Sequence, residues 1–158
     1  MASRKNSLRI GLVAALAAMV AVVAIGWSGA ASSKAAAQHA ATTATVKTMK
    51  LRKLGVVLVN SKGRTLYMFV PDHQQRVTCK GSCAIVWPPL KVKKGQKPTA
   101  GGSAKAKLLG TDGRVVTYNR WPLYTYIQDH RSGQARGENV KQSGGKWYVL
   151  SPAGTIIK

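Results

Sequence analysis

Leu66-Tyr67-Met68-Phe69-Val70-Pro71-Asp72-His73 is answered 57 residues further along by Leu123-Tyr124-Thr125-Tyr126-Ile127-Gln128-Asp129-His130. Four of the eight positions are identical, and two more pair Phe with Tyr and Val with Ile. The match spends scarce residues, since the whole chain holds only four acidic residues and three His. Each copy also follows a Gly-Arg turn, at Gly63-Arg64 and at Gly113-Arg114. A lone hairpin is marginal in water, so two such units bury their apolar faces against each other or against the terminal strands.

The flanks have the same character. Gly55 to Asn60 is a short run dominated by Val and Leu, Ser61-Lys62-Gly63 supplies a turn, and Thr65 to Val70 resumes with β-branched and aromatic residues, which reads as a hairpin. The second half repeats the device with Leu108-Leu109, a turn at Thr111 to Gly113, and Val115 to Asn119. Leu123 to Ile127 and Lys146 to Ser151 are further strands, and a turn at Pro152 to Gly154 leads into Thr155 to Lys158. After the N-terminus no window of eleven residues carries a helical period. The expected fold is all-β, a small domain of short antiparallel strands and hairpins in two tandem repeats.

The repeats are preceded by material of another kind. Arg4, Lys5 and Arg9 open the chain, Ile10 to Trp27 has no charged residue, and Ser28 to Ala31 are small. Residues 1–30 therefore read as an export signal cut after Ala30 or Ala31, with a retained membrane anchor as the alternative. No Cys lies near that exit to carry a lipid. Residues 31–50 read as a flexible linker, and 51–158 as the domain, with one repeat at about 54–95 and the other at about 105–154. A second Lys-, Gly- and Pro-containing stretch, Lys91 to Lys107, separates them.

Charge and cysteines bound the chemistry. The net charge is +21, from 25 Lys and Arg against four acids. Such a balance excludes neither solubility nor export, but it calls for anionic surroundings: wall polymers or lipid headgroups, met by electrostatics, with no specific nucleic-acid recognition expected. Oligomeric state is left open. Cys79 and Cys83, the only cysteines, lie within disulfide reach in a helical turn, and an exported chain meets an oxidising compartment. Their spacing is not that of a thioredoxin-type site, no His follows for haem attachment, and two thiols do not complete a zinc site.

At the motif itself, alternation places Tyr67 and Phe69 on one strand face and Leu66, Met68 and Val70 on the other, with Tyr124 and Tyr126 placed likewise. One reading makes the aromatics core and Asp72 and Asp129 acceptors for turn amides. The other makes Tyr67, Phe69, Asp72, His73, Tyr124, Tyr126, Asp129 and His130 a binding surface: a small aromatic cleft with a carboxylate, suited to a sugar, a cation or a basic partner. If the repeats pack about a pseudo-twofold axis, the two Asp-His pairs converge as a metal site. No catalytic residue is assigned, since no Ser sits in a nucleophile elbow and the Asp-His neighbours do not make a triad. No cofactor is implied.

Tyr67-x-Phe69-x-x-Asp72 and Tyr124-x-Tyr126-x-x-Asp129 resemble the Tyr-x-aromatic-x-x-Asp motif of the "secreted repeat of unknown function" family of predicted bacterial lipoproteins. Cys79, Gly81, Cys83, Ala84 and Trp87-Pro88-Pro89-Leu90 resemble the segment after the first motif. Pro122-Leu123-Tyr124, Gly145, Trp147-Tyr148-Val149 and Ser151-Pro152 resemble the second. The resemblance implies an exported protein and no stated activity. His73 and His130 depart from the family pattern, as does the missing lipid-carrying Cys. Three functions stay open: a non-enzymatic cell-envelope module associating with anionic surface material, a metal-binding or redox-accessory protein using the Asp-His pairs, and an extracytoplasmic enzyme.

Overall fold

Short Val-, Thr- and Tyr-rich runs broken by turn residues form strands, because a branched or aromatic side chain packs well on a pleated, half-buried surface. A computed structural model describes residues 45–72 and 76–158. The strands are β1 Val46–Leu51, β2 Gly55–Asn60, β3 Tyr67–Phe69, β4 Leu109–Asp112, β5 Val115–Tyr118, β6 Trp121–Pro122, β7 Lys141–Gln142 and β8 Gly145–Val149. They form three antiparallel sheets, ordered β1-β2, β3-β8-β7 and β4-β5-β6. Among the described residues the helical content is one turn, α1 Ser82–Val86, and a 3-10 turn at Ala106–Leu108. The chain is all-β, as its patterning requires. Among the described residues no helix is long and apolar enough to cross a membrane. The N-terminal segment read as signal or anchor, most of the linker, and His73 lie outside the described residues.

Strand alternation divides the interior in two. Tyr67, Phe69, Tyr124 and Tyr126 enter one cluster with Val57, Val59, Trp87, Trp147 and Val149. Leu66, Met68 and Leu123, from the opposite face, enter a second with Val46, Leu58, Val116, Tyr118 and Leu150. A period of two sends neighbouring side chains to opposite faces, so one motif strand serves both cores.

Hydrogen bonds recur in pairs across the two repeats, which marks a pseudo-twofold relation. Tyr67 N donates to Tyr124 O at 2.8 Å, and Tyr124 N donates back to Tyr67 O at 2.9 Å. Leu66 N reaches Leu58 O at 2.9 Å, and Leu123 N reaches Val116 O at 2.9 Å. The closing segments are exchanged: Leu58 N bonds Leu150 O of the second repeat at 3.1 Å, while Val116 N bonds Leu90 O of the first at 2.8 Å. Each repeat thus completes its edge with the end of the other.

Four details differ from the sequence reading. The linker expected up to residue 50 ends earlier, because Val46 to Leu51 is strand β1, paired along its length with β2. Val46 and Leu51 are buried while Lys50 is exposed, so the lysines that suggest a spacer belong to an outward face. The stretch Lys91 to Lys107 is also tied down: Val92 is buried, and Val46 N bonds Thr99 O at 3.0 Å. The two Gly-Arg turns are not equivalent, since Gly63-Arg64 lies between β2 and β3 whereas Gly113-Arg114 joins β4 to β5. The structural counterpart of the turn Ser61 to Gly63 is Asn119-Arg120, where both residues take positive φ (47° and 72°) in the two-residue turn from β5 to β6.

Lastly, Leu123 to Ile127 forms no continuous ladder. Tyr124 bridges Tyr67 and Pro89, and Thr125 N and Ile127 N donate to Pro88 O and Val86 O at 2.9 and 3.1 Å. Pro88 and Pro89 on the facing segment carry no N–H and can only accept. At the corresponding place in the other repeat, Tyr148 and Val149 supply amides, and β3 and β8 make a regular pair.

Candidate functional site

The repeated motif closes on itself across the pseudo-twofold axis. Tyr67 Oη donates to Asp129 Oδ2 at 2.6 Å, and Tyr124 Oη donates to Asp72 Oδ2. Each tyrosine therefore bonds the carboxylate of the opposite repeat and not the one five residues along in its own repeat. The second oxygens hold the loops that follow. Asp72 Oδ1 accepts from Thr78 N at 2.7 Å and from the Thr78 hydroxyl, and Asp129 Oδ1 accepts from Arg136 N at 2.8 Å. Gly137 N completes the arrangement by donating to Tyr67 Oη at 3.2 Å.

All four of these side chains are essentially excluded from solvent. Burial pushes the Asp129 carboxyl above the usual range, and the Tyr67 hydroxyl, the Arg136 amide and the charges of Arg64 and Arg136 offset part of the rise. The Tyr67 and Tyr124 hydroxyls are raised far above the ordinary phenol value, first by burial and then by the bond to their carboxylate partners. Both remain proton donors at any physiological pH. A charge-assisted hydrogen bond in such surroundings contributes about 1.5–3 kcal/mol, and leaving either partner alone costs at least as much.

The remaining aromatics fill the space around these pairs. Tyr126, Trp87, Trp147 and Phe69 lie in one continuous stack, with successive ring centroids 4.1, 3.9 and 4.2 Å apart and the two indoles within 2° of parallel. Tyr67 meets Trp87 edge-on, and Tyr124 meets Trp147 edge-on. The order is itself symmetric, with Phe69 and Tyr126 outside and the two tryptophans in the middle. One residue serves both indoles: Gln142 accepts Trp87 Nε1 through its side chain at 2.9 Å and Trp147 Nε1 through its carbonyl at 3.2 Å. Such ring pairs add about 0.5–1.5 kcal/mol each beyond the area they bury.

Tyr67, Phe69, Tyr124 and Tyr126 are thus stacked and buried against one another and line no open cleft. Of the described members of the sequence-predicted set only His130 is exposed, beside a separate surface cavity. Trp87 and Trp147 belong to the same stack, although the candidate site set read from the sequence omits them. Their signal is Trp-x-x-Leu, present at Trp87 to Leu90 and Trp147 to Leu150 with an offset three residues longer than that of the motif. Cys79 and Cys83 form the expected disulfide, with Cα atoms 5.3 Å apart, and it pins α1 to the loop leaving Asp72.

No three of His, Cys, Asp and Glu gather as a metal set among the described residues. The carboxylates are committed elsewhere. Asp112 Oδ2 accepts Val77 N at 2.9 Å and Glu138 Oε2 accepts Val149 N at 2.7 Å, so each of the four acids in the chain holds a backbone amide. None of the four is exposed. The opposite holds for the cations: among the described residues every Lys and Arg is exposed except the half-buried Lys47 and Arg64. Acid is inside as scaffold, and base is outside.

These features define a two-repeat all-β protein whose shared motif locks one copy to the other. The chain belongs to the family described as "secreted repeat of unknown function", whose model matches residues 48–91 and 109–151, more than half of the sequence. The first match opens within β1, in keeping with the strand observed there. Membership places the protein outside the cytoplasm. No curated protein and no solved structure matches the chain.

Proposed function

We propose that this protein is a non-enzymatic module of the cell envelope that associates with anionic surface material through its outward positive field. The observation that carries the reading is the segregation of charge. A surface of lysines and arginines without exposed carboxylates attracts polyanions from every side and offers little internal neutralisation. The motif residues act as scaffold under this reading, because their polar atoms are spent on one another and on backbone amides.

Salt dependence tests it. Binding to an anionic wall polymer or to vesicles of anionic lipid should weaken steeply with added salt and show little preference among polyanions. Affinity for one polymer that persists near about 1 M salt, where the Debye length is about 3 Å, would contradict diffuse association. Mass measurement of the mature protein adds its mode of attachment. A chain shortened by about 30 residues indicates a cleaved signal, and an intact N-terminus in the membrane fraction indicates an anchor.

A further inference from the structure

The surface cavity beside His130 departs from the uniform field. Asn60, Lys62, Arg64, Thr125, His130 and Ser132 line a space of about 480 Å³, within the roughly 300–1,000 Å³ of small-ligand pockets. It holds donors and positive charge and no carboxylate. Two loops build it, one from each repeat. The turn after β2 is folded by Asn60, whose Oδ1 accepts Lys62 N and Arg64 N at 2.9 and 3.0 Å, so that its amide NH₂ takes no part in holding the turn. The loop after Asp129 lies directly against that turn: a Cβ on Gly63, whose φ is +75°, would stand 2.3 Å from Ser132 Oγ. Glycine at this one place lets the loops meet.

Arg64 and Thr117 are the described residues whose side chains keep a buried polar atom without a hydrogen-bond partner, and of the two Arg64 lines this cavity. Its Nε is buried and has no hydrogen-bond partner. The charge of Arg64 acts on the nearby Asp129, but its Nε makes no hydrogen bond to that carboxylate. Arg64 as a whole is only half-buried and lines the cavity, and a guanidinium fork fits the paired oxygens of an oxyanion. Lys62 adds an ammonium, and Ser132 adds a hydroxyl held only by a weak 3.8 Å contact to Met49 Sδ, whereas the Thr125 hydroxyl donates to Pro88 O at 3.3 Å.

We propose that this cavity is a binding site for a single phosphate group, with Arg64 as its anchor and Lys62, His130, Asn60 and Ser132 around it. The site deepens the envelope reading by giving a polyanion one place of defined stereochemistry, and it rests on that reading only for where the phosphate comes from. The group can be carried by a phosphodiester-linked polymer, by a lipid headgroup or by free phosphate.

The test is calorimetric titration of the folded protein with inorganic phosphate at low ionic strength, in a buffer free of other oxyanions. One saturable site is expected. Arg64→Gln should weaken it at least tenfold, whereas Lys94→Gln, an equal loss of charge at an exposed position outside the cavity, should change it less than twofold. Lys62→Gln and His130→Gln, both at exposed positions, should each weaken it severalfold and carry the test if Arg64→Gln does not fold. Equal effects of the Lys94 substitution and the cavity substitutions, or no saturation, would overturn the proposal while leaving salt-sensitive polymer binding standing. Phosphate binding without any polymer or vesicle binding would instead retain the site and remove the envelope reading. Competition by soluble polyglycerol phosphate or by phosphatidylglycerol vesicles against bound phosphate distinguishes the carriers, and failure of both restricts the site to free phosphate.

Discussion

If the two repeats are locked by exchanged tyrosine–aspartate pairs, the energetic coupling between Tyr67 and Asp129 must exceed that between Tyr67 and Asp72, which lie in the same motif. Tyr67→Phe removes one hydroxyl and leaves the ring in place. It deletes the 2.6 Å bond to Asp129 and the 3.2 Å bond from Gly137 N. A bond to a charged group contributes about 1.5–3 kcal/mol and a neutral one about 1 kcal/mol, so the single substitution should cost about 3 kcal/mol. Asp129→Ala costs more in total, because it also strips the acceptor from Arg136 N. In the double-mutant cycle that second loss cancels, and a coupling of about 1.5–3 kcal/mol should remain. Tyr67→Phe combined with Asp72→Ala should be additive to within about 0.5 kcal/mol, since those side chains share no hydrogen bond. Urea unfolding of the five variants and wild type supplies the numbers, with unchanged m-values as the check that the transition stays two-state. Coupling that follows the single motif, Tyr67 with Asp72, would refute the exchanged arrangement.

Two further outcomes follow from the same interior. The raised folded pKa values of Tyr67 and Tyr124 mean that unfolding releases their protons more readily, so the stability they contribute is present below about pH 10 and is lost as pH rises beyond it, by about 1.4 kcal/mol per pH unit for each tyrosine. Urea midpoints measured from pH 9 to 12 should fall less steeply in Tyr67→Phe than in wild type, and parallel slopes would sink the assignment. Gly137→Ala should cost about 1–3 kcal/mol by overpacking, because the new Cβ would lie 2.6 Å from the Trp87 ring and 3.0 Å from that of Tyr67, and a thermal midpoint equal to wild type would show the stack to be looser than described.

Much of this architecture was legible locally. The alternation in Leu66 to Val70 assigned Tyr67 and Phe69 to one face and Leu66 and Met68 to the other, and the two observed cores divide in that way. Period-two patterning is a property of the chain itself and needs no partner to be read. The Cys79–Cys83 disulfide was equally accessible, since a four-residue separation limits the geometry before any tertiary contact forms. Strand β1 was not, because Val46-Lys47-Thr48-Met49-Lys50-Leu51 has a polar composition, and only pairing with β2 shows which of its residues point inward.

The sequence by itself determined that there are two equivalent units, that each carries an aromatic pair followed by a carboxylate, and that the chain is strongly basic. It had no means of saying which tyrosine meets which aspartate, because the two motifs are locally alike and both pairings satisfy the same pattern. Nor did composition show that every acid would turn inward onto a backbone amide while the cations stayed outside. Those choices depend on where segments some 60 residues apart are brought together, and the unpartnered Arg64 Nε is defined only once they have met. Burial makes such allocations costly to leave incomplete, so they are decided by the whole interior at once and not by any stretch of the chain.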